Sequence, residues 1–147
     1  MKIIRADVSH ISDVAILFDL YRQFYECEAD LELATNYIAE RIKNNESVIH
    51  VAIDGNAICG FVQMYPTFCS VQAVKIFVLY DLFVEKNARK RGVGELLMNK
   101  ASEYARANGA ARMDLSTAFT NRAGQHLYEK LGYKKVLQDF YNYSLIL

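Results

Sequence analysis

Apolar residues recur along this chain with two spacings, and the places where one gives way to the other mark out its elements. Residues 1–6 predict a short first strand. Val14, Leu17, Phe18, Tyr21 and Tyr25 then return at the three- and four-residue intervals of one helix face, with Ser9 or Ser12 as the expected cap. Leu31, Ala34, Ile38 and Ile42 repeat that spacing after Asp30, and Asn44-Asn45 closes the second helix. Residues 48–53 and 57–65 flank Asp54-Gly55-Asn56, a turn signal that predicts a hairpin. Residues 74–84 are β-rich and almost continuously apolar, as in a strand covered on both faces, and only Asp81 interrupts them.

The second half continues in the same manner. A helix is predicted from Gly92 or Val93 to about Asn108, with Leu96, Leu97, Ala101, Tyr104 and Ala105 on one side and Asn108-Gly109 as its stop. Residues 112–116 predict a strand, 121–131 a helix, and 134–137 and 142–146 two final strands. The order β-α-α-β-β-β-α-β-α-β-β describes one α/β or α+β sheet. At 147 residues the chain fits a single domain spanning residues 1–147.

Composition narrows the function classes. Seventeen basic residues balance seventeen acidic ones, so neither nucleic acid nor an anionic membrane is an expected partner. Cys27, Cys59 and Cys69 are odd in number and lack metal-type spacing, which favours a reducing compartment over a disulfide framework or zinc. His10, His50 and His126 are scattered, so no metal is expected. The N-terminus has no signal-peptide core and no apolar run nears a membrane span, so a soluble, cytoplasmic protein is expected.

Local charge is more informative than the total. The apolar strand ending Leu82-Phe83-Val84 runs through Glu85-Lys86-Asn87-Ala88 into Arg89-Lys90-Arg91-Gly92-Val93-Gly94, where the next helix opens. A helix start leaves backbone N–H groups without partners and carries partial positive charge, and an anion answers both deficits. Glycines let the backbone approach, and the three cations add attraction. The nucleoside-triphosphate pattern G-x-x-x-x-G-K-[ST] is not present. The dinucleotide pattern fails because Leu97 stands where a third small residue is needed, although Asp114, twenty positions after Gly94, imitates its ribose-binding acid.

The pattern that is met is R-x-x-G-x-G, in Arg89 to Gly94. With the preceding Asp-Leu-Phe-Val and the later Asn121-Arg122-Ala123-Gly124-Gln125-His126-Leu127-Tyr128-Glu129-Lys130-Leu131-Gly132-Tyr133, it resembles the GNAT superfamily of N-acetyltransferases over residues 78–133. The resemblance implies a mixed, mostly antiparallel central sheet with a V-shaped splay between its two central strands, flanked by about four helices. It implies acetyl-CoA as cosubstrate, with its pantetheine arm along Leu82, Phe83 and Val84 in the manner of an added strand. Backbone amides from Arg89, Lys90, Arg91, Gly92, Val93 and Gly94 would hold the pyrophosphate, and Asn121 would touch the pantetheine or the turn around it. Asparagine is equally a good helix cap. Gly124 stands where relatives usually carry alanine.

Acetyl transfer to an amine needs a neutral nucleophile, a held thioester and a proton for the leaving thiolate. By resemblance Tyr128 supplies that proton; as a residue beside Leu127 on an amphipathic helix it also reads as a boundary side chain. Many relatives carry glutamate at the position of Tyr80, which leaves Asp81 as base or amine anchor, or as a buried structural carboxylate. Tyr25, Glu26 and Glu28, with Tyr80, mix aromatics and acids in a way that suits a small cationic amine, and the stretch from Tyr25 to Asp30 equally suits an ordinary exposed helix end, with Glu28 and Asp30 favouring the next helix N-terminus. Such an amine, polyamine-like or amino-acid-derived, is the expected acceptor. A protein N-terminus or lysine, or a CoA-binding module with little catalysis, are the competing readings. Tyr141 and Tyr143 could line the same mouth or pack in a sheet or dimer, and a homodimer is expected from the resemblance.

Overall fold

Five strands, β1 (Lys2–Arg5), β2 (Val48–Asp54), β3 (Ala57–Cys69), β4 (Val74–Val84) and β5 (Met113–Leu115), pair in sequence order in the computed structural model, which describes residues 1–136 and 139–147. The pairs β1–β2, β2–β3 and β3–β4 are antiparallel, and β4–β5 is parallel. The helices are α1 (Ile11–Phe24), α2 (Leu31–Lys43), α3 (Val93–Ala107) and α4 (Arg122–Lys130). Two compact units divide the chain, Met1–Ser116 with the whole sheet and Thr117–Leu147 with α4.

In the first unit, strand alternation gives the sheet two different faces. Ile49, Val51 and Phe61 form a buried cluster with Val14, Leu17 and Phe18 of α1 and Ala34 and Ile38 of α2. The alternate positions meet α3: the His50 ring lies 5.6 Å from Tyr104, and a Cβ on Gly60 would come within 3.2 Å of Leu97 Cδ1 and 3.0 Å of the Phe83 carbonyl. Gly60 is therefore small so that α3 and β4 can both close on β3. The buried stripe of α3 is Val93, Leu97, Met98, Ala101 and Ala105. Leu96, expected on that stripe, is 42% exposed, because Met98 fills the face instead.

The caps also differ in one place. Neither Ser9 nor Ser12 starts α1 by capping it; Asp7 accepts from Ser9 N at 2.9 Å while its own N–H donates to His10 Nδ1 at 3.0 Å, a capping box on the single turn Val8–His10 that leads into α1. Asp30, after which the second helix was expected, caps α2 by accepting from Leu33 N at 3.0 Å.

Two irregularities position the site. In β3–β4 the register passes from Gln63 opposite Asp81 to Met64 opposite Leu79, so Tyr80 is an extra, bulged residue on β4. β5 pairs only Phe77, Val78 and Leu79, so from Tyr80 to Val84 the strand keeps β3 on one side and opens on the other. This is the V-shaped splay, with β5 as the outermost of the described strands.

In the second unit, α4 begins at Asn121 and stops at Gly132, whose φ of 93° is the left-handed stop that glycine tolerates. Residues 142–146, expected as a strand, form none: Tyr143, Leu145 and Ile146 are exposed and no ladder joins them to a neighbour among the described residues. Alternation alone does not make a strand without an edge to pair with. The other expected strand, 134–137, is likewise not formed at 134–136, and Leu137 lies outside the described residues. No helix among those residues is long and apolar enough to cross a membrane.

Candidate active site

Asp81 is the most deeply buried carboxylate among the described residues of the first unit. It is 6% exposed, directly opposite Gln63 across β3–β4, and its Oδ2 accepts from Gln63 Nε2. Gln63 is fully buried and its Oε1 accepts from Ser47 Oγ at 2.7 Å. Burial pushes the Asp81 carboxyl up to about 6, against the hydrogen bonds of Gln63 and Tyr21 that pull it down. A carboxyl in that range changes state near neutrality and can exchange a proton with an amine.

Above it lies an open cleft of about 390 Å³ lined by Phe18, Tyr37, Tyr65, Tyr80 and Asp81. Rings follow one another around its wall. Phe18 stacks on Tyr37 at 5.3 Å, Tyr65 meets Tyr80 edge-on at 5.4 Å, and the Tyr37 and Tyr65 hydroxyls are 2.6 Å apart. Burial, then the Tyr37 hydrogen bond and the Asp81 charge, push the Tyr65 phenol upward, so it stays protonated and polar. Tyr21 stands behind the wall and donates its hydroxyl to the Tyr80 carbonyl at 2.8 Å, which gives the bulged peptide a partner.

Of the acceptor-side residues expected from sequence, Tyr80 lines this cleft and is 64% exposed. Tyr25 is outside its lining, with its ring 5.1 Å from that of Tyr21. Glu26 and Glu28 are exposed and outside the lining. Their segment takes its shape from buried Asp19, which accepts from Asp30 N at 2.9 Å, and from a left-handed Glu26 with φ 64°. Phe18, Tyr37, Tyr65, Gln63 and Ser47 were missed as site residues. One signal was present: Gln63 sits between Val62 and Met64 in a strand interior otherwise apolar.

The cofactor-side residues are brought together along one path. Glu85 N donates to Cys59 O at 2.9 Å and Phe83 O faces Gly60, so alternation turns the amides and carbonyls of Leu82 and Val84 toward the open side of β4. Arg89 Nε donates to the Val84 carbonyl at 2.8 Å, and its guanidinium lies 5.5 Å from the Phe83 ring centre. The chain then makes one turn at Lys86–Ala88, with Ala88 buried as its anchor, and enters α3 through Lys90 at φ 61° and Gly92 at φ 77°. Gly92 has open space where a Cβ would stand, so its backbone conformation, not crowding, requires glycine. Val93 is buried as the first residue of α3, and Gly94 follows it at the helix N-terminus. Arg91 bonds Asp54 at 2.8 Å, fastening the loop to the β2–β3 turn. An open strand edge running into a basic helix N-terminus fits an extended amide-bearing arm that ends in phosphates.

In the second unit, Asn121 Oδ1 accepts from Gly124 N at 3.1 Å and its Nδ2 donates to Thr117 Oγ1 at 3.0 Å. The side chain is a helix cap. Gly124 is suited to it, because a Cβ there would lie 2.5 Å from Asn121 Nδ2. Tyr128 is half-buried on α4, with its ring 6.1 Å from that of Tyr133. Tyr133 N donates back to the Tyr128 carbonyl at 2.9 Å, closing the helix end.

Known proteins resemble this chain in sequence and fold. The sequence model described as the Acetyltransferase (GNAT) family matches residues 14–133. An N-acetyltransferase of Bacillus subtilis, YhfO, itself uncharacterized, is 42% identical over 92% of this chain and 91% of its own length. A Haemophilus influenzae protein described as a probable acetyltransferase is 29% identical, over 77% of this chain and 78% of its own. A crystal structure described as that of a probable acetyltransferase is 34% identical, covers 100% of this chain and 98% of the solved one, and superposes with a TM-score of 0.91.

Proposed function

We propose that this chain, which belongs to the acetyltransferase (GNAT) family, moves an acetyl group from acetyl-CoA to a small cationic primary amine by direct attack, working as one domain of 147 residues. The observation that carries the acceptor side is the buried Asp81 carboxyl at the floor of an aromatic cleft, one residue from the open edge at Leu82. A carboxylate under tyrosine and phenylalanine rings suits an ammonium group, through charge below and ring faces around.

The roles follow the chemistry. Leu82, Phe83 and Val84 receive the pantetheine arm as a strand, with Arg89 already steadying the Val84 carbonyl. Arg89, Lys90, Arg91, Gly92, Val93 and Gly94 hold the pyrophosphate, and by the family resemblance Asn121 touches the pantetheine or the turn around it. Asp81 anchors the ammonium and accepts its proton, directly or through a water, and the freed amine nitrogen attacks the thioester carbon. The carbon–sulfur bond breaks and Tyr128 gives its proton to the departing thiolate; the second proton, lost by the nitrogen as the amide forms, returns to Tyr128 through water, and Asp81 passes the first to solvent. Tyr80 walls the acceptor, and Tyr25, Glu26 and Glu28 lie on the approach to it. A homodimer in the cytoplasm completes the reading.

A thiol-release assay with acetyl-CoA and a panel of small amines, N-terminal peptides and lysine peptides tests it. Release with a small amine is expected. Asp81→Asn should lower kcat/KM about 100-fold or more, and Tyr128→Phe should lower kcat by about 10-fold or more at saturating acetyl-CoA. Acetyl-CoA binding without release for any acceptor would instead leave a binding module, and release only with peptides would move the acceptor to protein.

A further inference from the structure

We propose that Gln63 is a positioning residue for Asp81: it donates Nε2–H to Oδ2 while Ser47 holds its Oε1, keeping the carboxylate ionised and its other oxygen turned to the cleft. The inference rests on the reading of Asp81 as proton acceptor for its kinetic consequence, and on the sheet geometry alone for its electrostatic one. Gln63 and Asp81 are register partners across β3–β4, so the sheet itself aims one side chain at the other. Gln63 is fully buried and Ser47 is 6% exposed, so no bulk water competes for either bond. The three side chains form a directed chain, Ser47 Oγ–H to Gln63 Oε1 and Gln63 Nε2–H to Asp81 Oδ2.

Direction is what gives the chain its effect. A primary amide N–H is a donor only, so its bond is stronger to a carboxylate than to a neutral carboxyl. With its carbonyl end already accepting from Ser47, the amide presents the donor to Asp81. The other polar groups around the carboxyl are phenols: Tyr21 from α1, Tyr37 from α2, Tyr65 from β3 and Tyr80 from β4. The nearby cation Arg41 stacks on Tyr37 at 4.4 Å and bonds Glu40 and Glu46, and Asp114 of β5 is held by Arg112. Gln63 is therefore the amide donor to the carboxylate, opposite it in the sheet register, and the Tyr21 phenol is the second group whose hydrogen bond favours the ionised form.

The test uses the full-length protein with ¹³C-labelled aspartate, following the Asp81 carboxyl signal as a function of pH. Gln63→Met, which keeps volume and removes the amide, should raise the Asp81 midpoint by about one pH unit. In the same variant the acidic limb of kcat/KM should move up by the same amount, with KM for acetyl-CoA unchanged. An unmoved carboxyl midpoint overturns the proposal. A shifted midpoint with an unmoved kinetic limb sustains the role of Gln63 and removes Asp81 as base. Ser47→Ala, a smaller change, guards against a Gln63→Met chain that does not fold: it releases Oε1 and should raise the midpoint by a smaller amount in the same direction, and no shift there overturns the proposal equally.

Discussion

His50 and Asp81 bend the pH dependence of stability in opposite directions. His50 is buried on β2 with Nδ1 lacking a partner among the described residues, and burial, with the Arg5 and Lys100 charges, lowers its pKa to about 4. The unfolded chain takes up that proton near the ordinary value of 6.5, so stability is full above about 6.5 and falls as pH drops toward 4. The Asp81 value is raised from 3.8 to about 6, so between those values the native state holds the extra proton, and stability from this group falls as pH rises. Urea titrations at pH 5 and pH 7 should therefore show His50→Leu losing less stability on acidification than the wild type. Asp81→Asn should lose more on acidification, and should be more stable than wild type at pH 7 by roughly 3 kcal/mol, while losing activity. Asp81 was legible in the sequence because a carboxylate inside an apolar run is expensive. Gln63 was not, because one uncharged polar residue in a strand reads as its solvent face.

The strand, turn and helix from β4 to α3 were legible almost residue for residue, since their signals are local: an apolar run, glycines, then helical spacing. The bulge at Tyr80 was not, because it exists only in the register between β3 and β4. Nor was the cleft, whose rings come from α1, α2, β3 and β4. Strand alternation at 142–146 predicted an element that the chain does not form, since a strand also needs an edge. Gly92 is the position where this stretch is most sensitive. Gly92→Ala keeps φ 77° only at a cost of about 1–2 kcal/mol, so the melting temperature should fall and acetyl-CoA affinity with it. Equal affinity in calorimetry would mean that the entry into α3 does not shape the phosphate site.

The molecule as a whole is electrically neutral, yet the basic residues of the loop stand together at one helix start. The proposed phosphate site is therefore local and open to screening by salt. Raising salt from about 0.05 to 0.5 M should weaken CoA binding several-fold while leaving the unfolding midpoint in urea nearly unchanged, because the screening length shrinks to a few ångströms. An unchanged affinity would place the phosphates away from Arg89, Lys90 and Arg91. The GNAT match from residue 14 to 133 draws on both compact units, which is why motifs far apart in sequence had to be read together.

Under the proposed function, the Tyr21 hydroxyl that holds the Tyr80 carbonyl ties acceptor choice to the reaction itself. Phe18 belongs to the core as well as to the wall, so Tyr37 is the wall position on α2 that descendants of this protein can exchange to sample new amines with the strand intact. Tyr21 has no such freedom. An exchange there releases the kinked peptide beside Asp81, so the path to a new substrate runs around that tyrosine, which should persist where its neighbours diverge.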